Sequence, residues 1–179
     1  NAKMGDVNLR KAMWHAIDND SVGERFYNGL RWKATSLTTP FHATYHKDDL
    51  DVPEFDVDLA NQILDEAGYE YDGDFRTTPD GEELVINFAS MSGGDTAEPL
   101  ANYYIQSWRN IGLNVQLTNG RLIEFNTFYD MVENDDESID IYQGAWGVGT
   151  DADPSGLYGR EAVFNYTRFA SEANDELMA

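Results

Sequence analysis

The chain has no cysteine, only three His and five Pro among its 179 residues, and 12 Lys and Arg against 33 Asp and Glu. The missing thiols exclude a disulfide framework, a thiolate metal site and a cysteine nucleophile. The scarcity of cations leaves a formal charge of −21, and a surface that acidic repels a phosphate backbone, so nucleic acid is not an expected partner. No apolar run approaches the roughly 20 residues that a membrane-spanning helix needs. Asn1-Ala2-Lys3-Met4 leads directly into an amphipathic segment, so no signal peptide is expected within the chain. Hydrophobic residues still make up 41% and aromatics 13%. That supply suffices for a packed core, in one domain or a domain with an appendage.

Periodicity divides the chain into a helical entry over 1–30, a long loop over 31–55 and an α/β core over 56–179. Asp6 to Asp18 sets Leu9, Met13, Ala16 and Ile17 on one helical face. Asp20 or Ser21 is placed to cap a second helix that stops at Asn28-Gly29. From Arg31 to Pro53 the pattern vanishes, and a loop of that length in a compact domain implies a task. Asp56 caps the next helix, read with Leu59, Ile63, Leu64 and Ala67 inward and Gly68 as its left-handed end.

Asp72-Gly73-Asp74 and Pro79-Asp80-Gly81 are turn signals around a short hairpin arm. Leu84 to Ser90 alternates as a strand, and Ser92-Gly93-Gly94-Asp95 is a loop. A long helix follows with Leu100, Tyr104, Trp108 and Ile111 inward, closed by Gly112. Leu113 to Leu117 reads as a strand, Leu122 to Val132 as a helix with Phe125, Phe128 and Val132 on one side, and Ser138 to Trp146 as a strand. Alternating strands and helices of this kind form an α/β fold with a mainly parallel, helix-flanked sheet. Ligands then sit beyond the carboxyl ends of the strands, here at Ser90–Asp95 and Gly147–Gly159.

The second of those loops carries the most chemistry. In Gln143-Gly144-Ala145-Trp146-Gly147-Val148-Gly149-Thr150-Asp151-Ala152-Asp153-Pro154-Ser155-Gly156, glycines such as Gly147 let backbone approach a ligand, Trp146 offers apolar area, and two carboxylates follow. A carboxylate among exposed N–H groups stays ionised and is able to pair with an ammonium group. The plain alternative is a solvated turn in which Asp151 and Asp153 cap their own backbone, with Trp146 filling core.

Four further stretches bear on the choice. Val7-Asn8-Leu9-Arg10-Lys11-Ala12-Met13-Trp14-His15-Ala16-Ile17-Asp18 and Phe55-Asp56-Val57-Asp58-Leu59-Ala60-Asn61-Gln62-Ile63-Leu64-Asp65-Glu66-Ala67-Gly68-Tyr69 resemble two helices of the peptide/nickel family of solute-binding proteins of ABC importers. Trp108-Arg109-Asn110-Ile111-Gly112-Leu113-Asn114-Val115 is similar to that family's helix–strand junction. Ile139-Asp140-Ile141-Tyr142-Gln143-Gly144-Ala145-Trp146, followed by Asp153-Pro154, resembles its strand ending in Trp before Asp-Pro. The pieces stand in the family's order across almost all of the chain.

The resemblance implies one lobe of a two-lobed, periplasmic-binding-protein-like fold, with 1–179 as a partial second lobe and further polypeptide on either side. It implies an extracytoplasmic receptor, a lipoprotein or periplasmic, that is a monomer, needs no cofactor, catalyses nothing, and delivers a peptide or other small solute to permease subunits. Oligopeptide-binding relatives hold the ligand amine with an Asp three residues after the strand-end Trp. Gly149 stands there, and the spacing from Trp146 to Pro154 is one residue longer than usual. Asp151 is therefore the first candidate for the amine and Asp153 the second. Gln143 takes the place of a carboxylate-binding Arg, and Leu122 that of a pocket Trp. Trp146 and Gln143 are expected at the floor of the site, and Ser90–Asp95, with Ser92, at its wall.

Rival readings are weaker. A glycosidase needs two carboxylates about 5–10 Å apart, but abundant Asp and Glu are what a solvated acidic surface supplies. His15, His42 and His46 accompany no nucleophile-elbow pattern. His42 and His46 have i, i+4 spacing for a metal, without a third ligand, and read as polar surface. Asp151, Asp153, Ser155 and Gly156 imitate positions 1, 3, 5 and 6 of a Ca²⁺ loop, yet Ala162 occupies the position of the bidentate acid and Glu161 falls one residue early. A calcium-binding structural or interaction module is thus the runner-up.

Overall fold

The structure is a computed structural model that describes residues 2–31, 33–147 and 149–178. The chain groups into two compact units, Asn1–Lys33 with Pro53–Gly144, and Ala34–Val52 with Ala145–Ala179.

The first unit opens with helices α1 (Val7–His15) and α2 (Asn19–Tyr27), followed beyond the long loop by α3 (Val57–Glu66). Asp6 caps α1 by accepting from the Asn8 N–H, and Asp56 caps α3 through Leu59 N–H. The cap of α2 is Asp18, which accepts from Ser21 N–H, so the expectation of Asp20 or Ser21 is off by two or three residues. Ala12 and Ala60, both fully buried, supply small surfaces where α1 packs on α3 beside Leu9 and Leu64. Of the expected α3 residues, Leu64 is buried and Ile63 and Ala67 pack partly buried against the core, joined by Ala60, whereas Leu59 is exposed.

The hairpin arm forms from β1 (Tyr71–Asp72) and β2 (Phe75–Arg76), with Tyr71 opposite Arg76. Arg76 is buried. Its guanidinium donates to the Ile111 and Tyr69 carbonyls, to Asp65 and to Asn61, and lies 4.4 Å from the Tyr71 ring centre. Gly112 sits with φ of +83°, a backbone shape that favours glycine, and a Cβ there would stand 2.5 Å from the Tyr71 hydroxyl and 2.6 Å from its ring, so a side chain would also displace Tyr71.

The sheet has β3 (Val85–Ser90) at its centre, with β4 (Asn114–Leu117) and β5 (Ile141–Gln143) on either side, both parallel to it. Between them run α4 (Ala97–Arg109) and α5 (Phe125–Glu133). The expected parallel, helix-flanked α/β sheet is therefore the observed one. Ile86 and Phe88 face a core built from α1, α3 and α4, whereas Ala89 lies outside that cluster and its neighbour Tyr142 meets Phe128 of α5. The period of two in a strand thus places helices on both faces. In α5 the buried side chains are Phe128 and Val132, but Phe125 is exposed, contrary to the expected stripe. The third strand is also shorter than Ser138–Trp146. It begins after Asp140, a buried carboxylate that accepts from Asn87 N–H and from Lys3 Nζ, both at 2.8 Å.

In the second unit the described elements are α6 (Ser155–Tyr158) and α7 (Glu172–Met178), joined by an Asn174 Nδ2 bond to the Tyr158 carbonyl and an Arg160–Asp175 ion pair at 2.6 Å. No helix among the described residues is long and apolar enough to cross a membrane.

Candidate functional site

Three of the expected site residues belong to the carboxyl edge of the first unit's sheet. Ser90 and Gln143 end β3 and β5 and are direct register partners. Ser90 is buried, and its hydroxyl donates to Gln143 Oε1 at 3.2 Å. With its oxygen so engaged, the Gln143 amide nitrogen keeps two N–H donors for other partners. Ser92 donates both its N–H, at 2.7 Å, and its hydroxyl, at 3.2 Å, to the Ile123 carbonyl. Met91 and Ile123 form a parallel bridge that carries this edge beyond the strand. Leu122, the next residue back, is partly buried and packs against the core cluster, so part of its surface is committed to packing.

The other expected residues lie in the second unit. Trp146 is 47% exposed, and its ring centre stands 4.7 Å from that of Phe164, which is itself half-exposed. It is therefore not core. Gly147 has open space where a side chain would stand. Asp151 accepts from Asp153 N–H at 3.1 Å, and Asp153 accepts from Ser155 N–H at 2.8 Å, forming two successive turns just before α6. The Ser155 N–H, and after it the Ser155 hydroxyl, hold the Asp153 carboxyl below the usual carboxylate range. Asp153 is thus anionic at neutral pH, as pairing with an ammonium group requires. The backbone-capping alternative is present in the geometry as well. A carboxylate has about four lone-pair sites, so one accepted N–H leaves it able to bind a cationic ligand. Val148 of this loop lies outside the described residues.

One histidine departs from the expected polar surface. His42 is 8% exposed, and its Nε2 lies 2.9 Å from the Gly149 carbonyl. His46 Nδ1 lies 2.8 Å from the Thr38 carbonyl, and His15 Nδ1 is 2.7 Å from that of Glu54. A carbonyl only accepts, so each of these ring nitrogens carries a proton and donates. Among the described residues no three His, Asp or Glu side chains gather as a metal-ligand set.

One cavity, of about 330 Å³, is lined by Asp72, Phe75, Arg76, Glu83, Leu84 and Asn114. Leu84 precedes β3 and Asn114 begins β4, so it lies at the amino ends of the strands, opposite the edge that carries Ser90 and Gln143. Its one cation, Arg76, already donates four hydrogen bonds to protein groups.

Sequence reasoning missed Ser90 as the partner that orients Gln143, although its place at the strand end was readable. It also missed Phe164, which no periodicity marks.

Residues 1–165 match the family described as bacterial extracellular solute-binding proteins, family 5, middle region. The chain belongs to this family. It is 33% identical over 169 residues to the oligopeptide-binding protein OppA of Lactococcus lactis subsp. cremoris, covering 92% of this chain and 28% of that protein. The chain thus spans little more than a quarter of the length of such relatives. A solved structure of lactococcal OppA, complexed with an endogenous peptide in the closed conformation, superposes with a TM-score of 0.91 at 30% identity, covering 98% of this chain and 33% of that one. The oligopeptide-binding protein AppA of Bacillus subtilis, in complex with a nonapeptide, shares the fold with a TM-score of 0.83 at 20% identity, covering 99% and 36%.

Proposed function

We propose that this chain is part of the second lobe of an extracytoplasmic receptor that captures oligopeptides for an ABC importer and releases them chemically unchanged. The observation that carries the reading is the 33% identity to an oligopeptide-binding protein across 92% of the chain. Closure of two lobes over the ligand would exclude water and strengthen an ammonium–carboxylate contact. Permease subunits, not nucleic acid, are the macromolecular partners, and the receptor works as a monomer, anchored as a lipoprotein or free in the periplasm.

Within that receptor Asp151 pairs with the peptide amine and Asp153 is the alternative anchor. Trp146 and Gly147 contact the cargo by ring face and by close backbone approach. Gln143, with the nitrogen left over from its bond to Ser90, donates to a peptide carbonyl, and Ser92 and Leu122 contribute wall contacts. Main-chain recognition of this kind is strong on backbone and tolerant of side chains.

The test is a titration of a synthetic peptide library into the full-length protein and its Asp151→Ala variant. Removing a charge-assisted partner worth about 1.5–3 kcal/mol should weaken binding by about tenfold or more. Undiminished affinity in Asp151→Ala removes Asp151 from the site. Absence of peptide binding by the unaltered protein removes the reading itself.

A further inference from the structure

The second unit is built in an unusual way. Its buried residues, among those described, are His42 and Asn165, both polar. Asn165 gathers its own segment, donating through Nδ2 to the Gly159 and Phe169 carbonyls and accepting from the Thr167 hydroxyl. His42 instead reaches from the long loop to residue 149, more than a hundred positions away, where Nε2 donates to the Gly149 carbonyl. The region it reaches has little else to fix it. From Ala145 to Gly147 and from Gly149 to Asp153, no main-chain group bonds to another main-chain group among the described residues. These residues are exposed or nearly so, and the side-chain ties around them are Asp151 to Asp153, Asp153 to Ser155, and the Trp146–Phe164 ring contact.

A stretch of unpaired backbone suits a ligand that is itself backbone, but only if it is held still. Every residue left mobile must be ordered when cargo arrives, and that ordering subtracts from affinity. A buried side-chain donor on a mid-loop carbonyl removes part of that freedom in advance. His42 itself is held in place. Its carbonyl accepts from the Tyr45 and His46 N–H groups at 2.8 Å, its N–H bonds to the Thr39 carbonyl at 2.9 Å, and its ring meets Phe41 edge-on at 5.4 Å.

We infer that His42 is a positioning residue for peptide capture: through its bond to the Gly149 carbonyl it pre-sets the Trp146–Asp153 loop for ligand main chain. This gives the long, unperiodic loop a task. The inference rests on the peptide-binding reading, so its test has one arm that needs no ligand.

The experiment compares His42→Phe, which keeps the ring and loses the donor, with His42→Gln, whose amide nitrogen reaches the same place. In the full-length protein, cleavage within residues 146–153 under limited proteolysis is followed by mass spectrometry without ligand. Affinity for a labelled pool of synthetic nonapeptides is measured alongside. His42→Phe should speed loop cleavage and weaken binding about tenfold, the usual cost of one lost directional contact, and His42→Gln should restore both. Loop cleavage and affinity unchanged in His42→Phe would overturn the inference. So would an equal loss in both variants, because that marks packing of the imidazole and not its donated proton. If the unaltered protein ignores the peptides, the peptide reading fails, and the proteolysis arm still decides whether His42 holds the loop.

Discussion

The two units bury opposite kinds of side chain. In the first, apolar residues from three helices and two strands close around Ile86 and Phe88, with Trp108 edge-on to Phe88 at 5.4 Å. In the second, Leu37, Phe41, Tyr45, Trp146, Val163 and Phe169 are exposed while His42 and Asn165 are buried. Apolar burial is non-directional and tolerates small shifts, so it secures the overall shape of a sheet and its helices. Hydrogen bonds are directional, so polar hubs fix the course of loops that have no periodic face to bury. Framework and loops are thus stabilised by different physics, and each is open to a different perturbation.

The sharpest way to break this contrast is to remove a ring from the first unit. Phe88→Ala should cost about 3–5 kcal/mol, because Phe88 is 2% exposed and lies on the central strand, where helices on both sides limit collapse into the cavity. Urea unfolding followed by tryptophan fluorescence measures it, and a loss below about 1 kcal/mol would mean the core is not the source of the framework's stability.

A smaller effect is expected from the second unit's hub. Asn165→Ala takes the side-chain donor from the Phe169 carbonyl and one of two donors from the Gly159 carbonyl, which keeps the Ala162 N–H, and should cost about 1–3 kcal/mol. The loss should show as faster hydrogen exchange over 159–169, with the first unit's exchange unaltered. Faster exchange spread evenly over both units would erase the distinction between them.

The smallest effect concerns a polar bond inside the apolar unit. Tyr69 donates to Asp6 at 2.6 Å, and this bond is foremost in holding the Asp6 carboxyl below its usual value, while burial pushes the Tyr69 phenol up. A carboxyl depressed in the folded state contributes stability above its unfolded pKa of about 4, and that contribution is lost as pH falls through the folded value. Tyr69→Phe should therefore cost about 1 kcal/mol at neutral pH, with the gap to the unaltered protein closing below about pH 4. A gap independent of pH would assign the effect to packing.

Much of the framework was readable because its signals are local. Asp56 before an apolar run and Gly68 after it bracket α3, and alternation marks β3. The misreadings came where local pattern is ambiguous. Leu59 and Phe125 are apolar yet point outward, because a helix nine or ten residues long offers several stripes and only its neighbours select one. Local pattern carries the last strand through Trp146, whereas pairing with β3 stops at Gln143. At the candidate site, residue types and order along the chain were legible in Gln143, Trp146, Asp151 and Asp153. Their partners were not. Ser90 meets Gln143 across 53 positions and His42 meets Gly149 across 107.

By itself, then, the order of residues was enough for the strand–helix alternation, the parallel sheet, the cap at Asp56, and the family, since each depends on spacing within a few turns of chain. Tertiary structure alone decided that Leu59 and Phe125 face outward, where the third strand ends, and that a histidine in an unpatterned loop becomes a buried donor to a distant carbonyl. The reason is geometric. A hydrogen bond between distant segments depends on where folding sets two groups to within a few tenths of an ångström, and no periodicity along the chain encodes that coincidence.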